Sequence, residues 1–323
     1  MANRTIQSLI HHMRRKSELF LLCFLLGVCL ALLQTPVEVK NKTSIASYLV
    51  EMVAPKTVTV ASHDDLDQMF AKHEYVLSNV STGEASVPAI FLAKLPVDLH
   101  EIEQPSDKKD IFIRAVLPLI LLNNEQIMSQ RNQLIALWNA QVSGRALNKK
   151  ELQFIADMAD EYDVPDQNMA ELISRVDIIP PSLAIAQAAE ESGWGTSRFV
   201  QHGNALYGQQ VYNSAHGMVP TDRPQGRTHM VRSFGSLYDT VASYAHNLNT
   251  HPAYRDFRAV RYGYRQYRQP LNSYRLIETL ISYSERRGAY VQTIKRIIDA
   301  NDLRPLDDAK LEANSGIAAD KSV

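Results

Sequence analysis

From about residue 108 onward, apolar positions recur at helical spacing over most of the chain. Ile111, Ile113, Val116, Leu117, Ile120 and Leu121 open the pattern, which continues through Ile127, Leu134 and Leu137. That period predicts an amphipathic helical block. A further amphipathic helix is predicted over 149–162, and Pro165 marks the start of another, with Met169, Leu172 and Ile173 on one face. Pro180 and Pro181 form the next boundary. Proline in a first helical turn forfeits no intrahelical hydrogen bond, so a helix is predicted over 182–191, ended by Gly193. Gly208, Gly217 and Gly226 punctuate 204–233, which reads as loops with a small β-hairpin. Helical spacing returns over 237–248 and 276–298. Two stretches lack this order. Residues 36–106 alternate short apolar pieces such as 90–92 with polar runs and read as a tether or membrane-proximal region. Residues 304–323 are polar and read as a disordered tail.

The N-terminus carries a targeting signal. Arg14, Arg15 and Lys16 precede an unbroken apolar run over 19–33. The run has the length of a signal-peptide core and is short for a span of about 20 residues. It ends in Leu33-Gln34-Thr35-Pro36, without a small-x-small cleavage site. An uncleaved anchor over 1–35 is therefore favoured over a cleaved signal peptide. Positive charge stays on the cytoplasmic side, which predicts a single-pass inner-membrane protein with its C-terminal domain in the periplasm.

Cysteine and histidine usage excludes several chemistries. Cys23 and Cys29 both lie in the apolar run, so the exported part has no disulfide and no thiol nucleophile. The histidines at 202, 216, 229, 246 and 251 form no His-Glu-x-x-His pattern or close ligand pair. No glycine-rich phosphate loop or serine hydrolase motif is found, and no metal or cofactor is expected. A net charge of −1 gives no general reason to expect nucleic acid.

Candidate chemistry concentrates in Ala188-Ala189-Glu190-Glu191-Ser192-Gly193-Trp194-Gly195. Two carboxylates close a helix of small residues, where the macrodipole disfavours an anion by roughly 0.3–1 kcal/mol. Burial against Trp194 would raise a carboxyl pKa further. A glutamic acid kept protonated near neutral pH is what a glycosidic leaving group requires as proton donor. Successive helical residues diverge by about 100°, so only one of the pair can face a cleft. Periodicity does not choose between them, and two solvated helix-end acids fit the spacing as well.

Glu191-Ser192-Gly193-Trp194-Gly195 resembles the ESGWG signature of the glucosaminidase family that includes flagellar peptidoglycan hydrolases and bacterial autolysins. The similarity continues in Asn204-Ala205-Leu206-Tyr207-Gly208, close to N-N-L-F-G. It extends through Val231-Arg232-Ser233-Phe234, Tyr238 and Tyr244-Ala245-His246-Asn247-Leu248 to His251-Pro252-Ala253-Tyr254. The whole chain, with its N-terminal anchor and Lys108-Lys109-Asp110 block, resembles Bax-type proteins of Gram-negative bacteria. The resemblance implies Glu191, not Glu190, as catalytic acid. It implies a lysozyme-like α+β fold, a mainly helical lobe and a small β-lobe across a cleft, with the helical block (107–175) and the anchor preceding a catalytic domain over 176–303. It implies peptidoglycan glycan strands as partner and an N-acetylglucosaminidase cleaving the β-1,4 bond after N-acetylglucosamine. A lysozyme or lytic transglycosylase of the same fold, or a tethered scaffold that binds glycan without cutting it, remains open.

A second group must stabilise an oxocarbenium-like transition state or activate water. Asp222 is the only carboxylate between Glu191 and Asp239, although Pro220-Thr221-Asp222-Arg223-Pro224 also reads as a plain turn. Tyr290 is the other candidate, because it resembles the tyrosine that opens the last helix of the family and faces the acid. Trp194, Asn204, Tyr207 and Tyr254 are candidate substrate-binding residues. Eleven of the fourteen tyrosines lie between Tyr207 and Tyr290, and amphipathic rings suit sugar faces, though many must be core. Six arginines with one acid, Asp256, fall in 255–275. That stretch is either a site for wall carboxylates or lipid headgroups, or an exposed solvated loop.

Overall fold

The computed structural model describes residues 54–211, 217–219 and 230–312. The expected anchor, both cysteines, Asp222 and residues 313–323 lie outside the described residues. The described chain is α+β: a helical body with one small sheet, compatible with a lysozyme-like fold joined to a helical block.

The helices in chain order are α1 (His63–Lys72), α2 (Leu77–Ser81), α3 (Pro105–Val142), α4 (Lys149–Glu161), α5 (Met169–Arg175), α6 (Pro181–Ser192), α7 (Arg198–Gly203), α8 (Leu237–Thr250), α9 (Arg255–Gln266), α10 (Ser273–Glu278) and α11 (Gly288–Ala300). Capping explains several starts. Ser62 with Asp65, Asn148 with Glu151, and Ser236 with Asp239 form capping boxes for α1, α4 and α8. The sheet has three short antiparallel strands in the order β1 (Gln210–Val211), β3 (Met230–Arg232), β2 (Gly217–Met218). Gln210 pairs with Val231, and Gly217 with Arg232.

The predicted helical block is one continuous 38-residue helix, α3, about 57 Å long at 1.5 Å per residue. Its buried residues surround the axis, and it packs against α1, α5, α6 and α8. Among the described residues it is the one helix long and apolar enough to cross a membrane, yet 72% of its apolar window is buried within the protein. That is the burial of a core helix.

Four expectations are corrected. Residues 54–106 do not form a free tether: Leu66, Phe70, Leu92 and Leu99 are fully buried in the common core. The tail is ordered at its start, because Leu303 and Leu306 are buried and Arg304–Asp308 forms a 3₁₀ turn. Pro165 does not open α5, whose N-cap is Asn168 accepting from the Glu171 N–H after Gln167 at φ 53°. The helical run over 276–298 is broken by a 3₁₀ turn at Ile281–Tyr283 and by Arg287, whose φ of 47° no α-helix admits.

The arginine-rich stretch is also reassigned. Residues 255–266 form α9, and Arg258 and Arg261 point into the protein. Arg261 is fully buried and donates to the carbonyls of Ser174, Arg175, Asp177 and Ile178 and to Asn249 Oδ1 at 2.7 Å. Arg265 forks onto the Asp177 carboxylate at 2.8 and 3.0 Å. Arg131 of α3 lies 3.5 Å from the same group and donates to the carbonyls of Ile173 and Val176. Burial alone would push the Asp177 carboxyl up, but Arg261, Arg265 and Arg131 together hold it below the ordinary range.

Removing one partner from such a cluster strands buried charge. Asp177→Ala should therefore destabilise the protein by about 3–5 kcal/mol in urea titrations. Arg275→Ala, which breaks an exposed pair with Glu278, should cost less than about 1 kcal/mol.

Candidate active site

Helix α6 is built to be buried. Pro181 occupies its first position, and every residue from Pro181 to Ala189 is buried. Its N-terminal end is tied down by Asp307, which accepts from the Ser182 N–H at 2.8 Å and the Ser182 hydroxyl at 2.9 Å. Its C-terminal end carries the two candidate acids.

They diverge as helical geometry requires. Glu190 pairs with Arg286 in the turn before α11. Glu191 turns into a cleft of about 800 Å³ between the sheet and α8. Gly208 (φ +58°) lies against it, and a Cβ there would sit 3.5 Å from Glu191 Oε2. Burial raises the Glu191 carboxyl above its ordinary value. A hydrogen bond from Tyr290 opposes this, Glu190 adds to it, and Arg286 opposes it. The expected direction is thus found, but its source differs. Trp194 packs edge-on against Phe112 with Lys109 over its ring, and is not among the residues lining the cleft.

The turn after α6 explains the sequence Ser192-Gly193-Trp194-Gly195. The Ser192 hydroxyl accepts from the Gly195 N–H at 2.9 Å, and Gly193 ends the helix in the left-handed region. Gly195 has φ +81°, and a Cβ there would meet Leu95 Cδ1 at 2.6 Å and Phe112 at 3.1 Å. The following loop is equally constrained. Asn204 caps α7 at φ 52° and donates to the Phe234 carbonyl, so it shapes the loop and does not line the cleft.

Tyr207 and Tyr254 do line the cleft. The Tyr207 ring stacks on Tyr244 at 3.8 Å, nearly parallel, and its buried hydroxyl has no protein partner among the described residues. Tyr254, Tyr283 and Tyr290 form a second run of rings at 6.0 and 5.5 Å. Tyr290 opens α11, and its hydroxyl meets both Glu191 and Gln187, whose Nε2 donates to it at 2.9 Å. Gln187 Oε1 in turn accepts from the Tyr244 hydroxyl at 2.7 Å. Burial and the nearby Glu191 push the Tyr290 phenol well above its ordinary value, so it remains a donor.

Sequence reasoning did not find Gln187, Tyr283, Asp163 or Glu285. The last two bring further carboxylates to the rim of the cleft. Asp163 sits in a turn after α4 and Glu285 in a Ser-Glu-Arg-Arg turn, neither of which has a linear signature. Gln187 stands four residues before Glu191, on the same face of α6, and that spacing was the available signal.

The family profile for glucosaminidases, described as mannosyl-glycoprotein endo-beta-N-acetylglucosaminidase, matches residues 167–303. Protein bax of Escherichia coli (strain K12) is 32% identical over 229 residues, which is 69% of this chain and 76% of that protein. The chain belongs to the Bax-type family. Its glucosaminidase domain accounts for α5 to α11, and the likeness to the Escherichia coli protein extends over a longer stretch than the domain. No solved structure matches it significantly. The domain supports a glycosidase-type function related to the cell wall.

The two turn glycines give different expectations. Gly193→Ala should cost about 1 kcal/mol, the strain of a left-handed residue with room for its methyl group. Gly195→Ala adds overpacking against Leu95 and should cost about 2–4 kcal/mol in all, read as the shift in the urea unfolding midpoint.

Proposed function

We propose that this protein is a peptidoglycan hydrolase that cleaves the β-1,4 bond after N-acetylglucosamine, with Glu191 as general acid. The observation that carries the reading is a single one. A half-buried carboxyl with a raised pKa faces an open, polar, tyrosine-walled cleft at the glutamate of the motif that resembles the family's. An acid of raised pKa holds its proton near neutrality and can pass it to a departing sugar oxygen. Tyr207 and Tyr254 would support sugar rings, and Tyr290 would position the acid and the reacting sugar. The basic flank and apolar run at 19–33 support anchoring in the inner membrane with the domain on the periplasmic side.

Purified sacculi incubated with the full-length protein, with products read by mass spectrometry, test the proposal. Fragments with reducing N-acetylglucosamine ends are expected. Reducing or anhydro N-acetylmuramic acid ends would assign the lysozyme or lytic transglycosylase reaction instead, and binding without products would make the protein a scaffold.

Glu191→Gln should lower the rate about 10²–10⁴-fold with glycan binding retained. Glu190→Gln, which loses the pair with Arg286 and one charge beside Glu191 but not the proton donor, should be far milder. The wild-type rate should fall as pH rises through the elevated Glu191 pKa, since the active form is the protonated one. A rate that stays flat up to about pH 9 would remove the carboxylic acid from the mechanism.

Tyr290→Phe should lose roughly tenfold or more, the scale of one hydrogen bond to a charged group, with folding preserved. Asp222→Asn should keep most activity. The reverse pattern, with azide restoring Asp222→Asn, would assign the second role to Asp222.

A further inference from the structure

We propose that Gln187, backed by Tyr244, sets the direction of the hydrogen bond between Tyr290 and Glu191, so that the acid's own proton faces the cleft. This rests on Glu191 as the proton donor and adds a positioning pair behind it.

A phenol has one proton and can either give it to a carboxyl group or receive the carboxyl's proton. The second arrangement would hold the catalytic proton on Tyr290, away from the substrate. The Gln187 amide removes that option. Its Nε2–H occupies the Tyr290 oxygen at 2.9 Å, which leaves Tyr290 to donate toward Glu191. An amide alone can turn over and present its oxygen instead. Here Oε1 is engaged by the Tyr244 hydroxyl at 2.7 Å, and Gln187 is fully buried, so water offers no alternative partner. The bonds from Tyr244 to Gln187 and from Gln187 to Tyr290 therefore run one way and aim the remaining Tyr290 proton at Glu191. Tyr207 stacks on Tyr244, and Tyr283 stacks on Tyr290, which fixes both rings.

Other groups also act on Glu191. Glu190 lies on its own helix, Arg286 in the turn before α11, Tyr283 in the preceding 3₁₀ turn and Tyr254 in the one after α8. Arg232, His246 and His251 line the cleft, with Asp163 and Glu285 at its edge. None of these touches Gln187 or Tyr244 through a hydrogen bond among the described residues, so changes at those two report on the directed chain.

The decisive measurement is the titration of the Glu191 carboxyl by NMR in full-length protein carrying ¹³C-labelled glutamate, its signal assigned by its loss in Glu191→Gln. Gln187→Met removes both donor and acceptor at nearly the same volume, so the Tyr290 oxygen is free to accept the Glu191 proton. Tyr244→Phe frees the amide to turn over, although Tyr244 does not line the cleft. Both variants, like Tyr290→Phe, should move the Glu191 titration to higher pH. Hydrolysis of sacculi should fall roughly tenfold in both, as expected for losing one hydrogen bond to a charged group. Thermal unfolding identifies a variant that fails to fold, and then the other one decides. Wild-type titrations in folded Gln187→Met and Tyr244→Phe would overturn the proposal while leaving Glu191 as the acid. Full hydrolysis by Glu191→Gln would instead overturn the acid assignment, and the titration would still report the chain.

Discussion

Asp177 is the point to which the fold is tied. Its carboxylate is 1% exposed and faces Arg131 from α3 and Arg261 and Arg265 from α9. A group so buried cannot remain ionised without opposite charge, and the buried Arg131 and Arg261 depend on it in turn. The arginines also take up the carbonyls of the linker between α5 and α6, while Asn249 of α8 donates to the Asp177 carbonyl. Asn124 of α3 both donates to and accepts from Ile179. A stretch of irregular backbone inside the protein thus has its polar groups satisfied from three helices. It delivers α6 at a fixed position and tilt, and the acid at the far end of that helix inherits both.

This dependence connects regions that chain order keeps apart. Alpha-6 is shielded by α3 on one side and α11 on the other. Leu95 and Leu99, from the segment before α3, press on the turn at Gly195. The glucosaminidase domain is therefore not a free-standing block with an appended helical region. Its central helix completes its packing with residues that lie about seventy positions before the domain begins.

Much of this was legible in sequence because helical periodicity is a local property. Helices α4, α6 and α8 followed from apolar spacing, with Pro181 and Gly193 marking the ends of α6. The choice of Glu191 over Glu190 came only from the resemblance, since the two have the same local surroundings in sequence. What failed was long-range. The arginines of 255–275 looked like an exposed basic surface because their partner, Asp177, lies some eighty residues earlier. Trp194 looked like a cleft wall because nothing local places Phe112 beside it. The apolar pieces before residue 106 are too short to show a period, and their burial comes from pairing with distant segments, as when buried Leu92 bridges to Val58.

The cap on α6 has a consequence in time. Ser182 receives its partner, Asp307, from 125 residues further along the chain, and the backbone just beyond pairs with Val87. A chain made from its N-terminus contains α3 and Glu191 long before Asp307 is added. Until then the first turn of α6 has no cap, and the linker lacks Arg261 and Arg265. The setting of Glu191 is thus finished last. Whatever chemistry this cleft performs becomes available only when the end of the folded body has arrived.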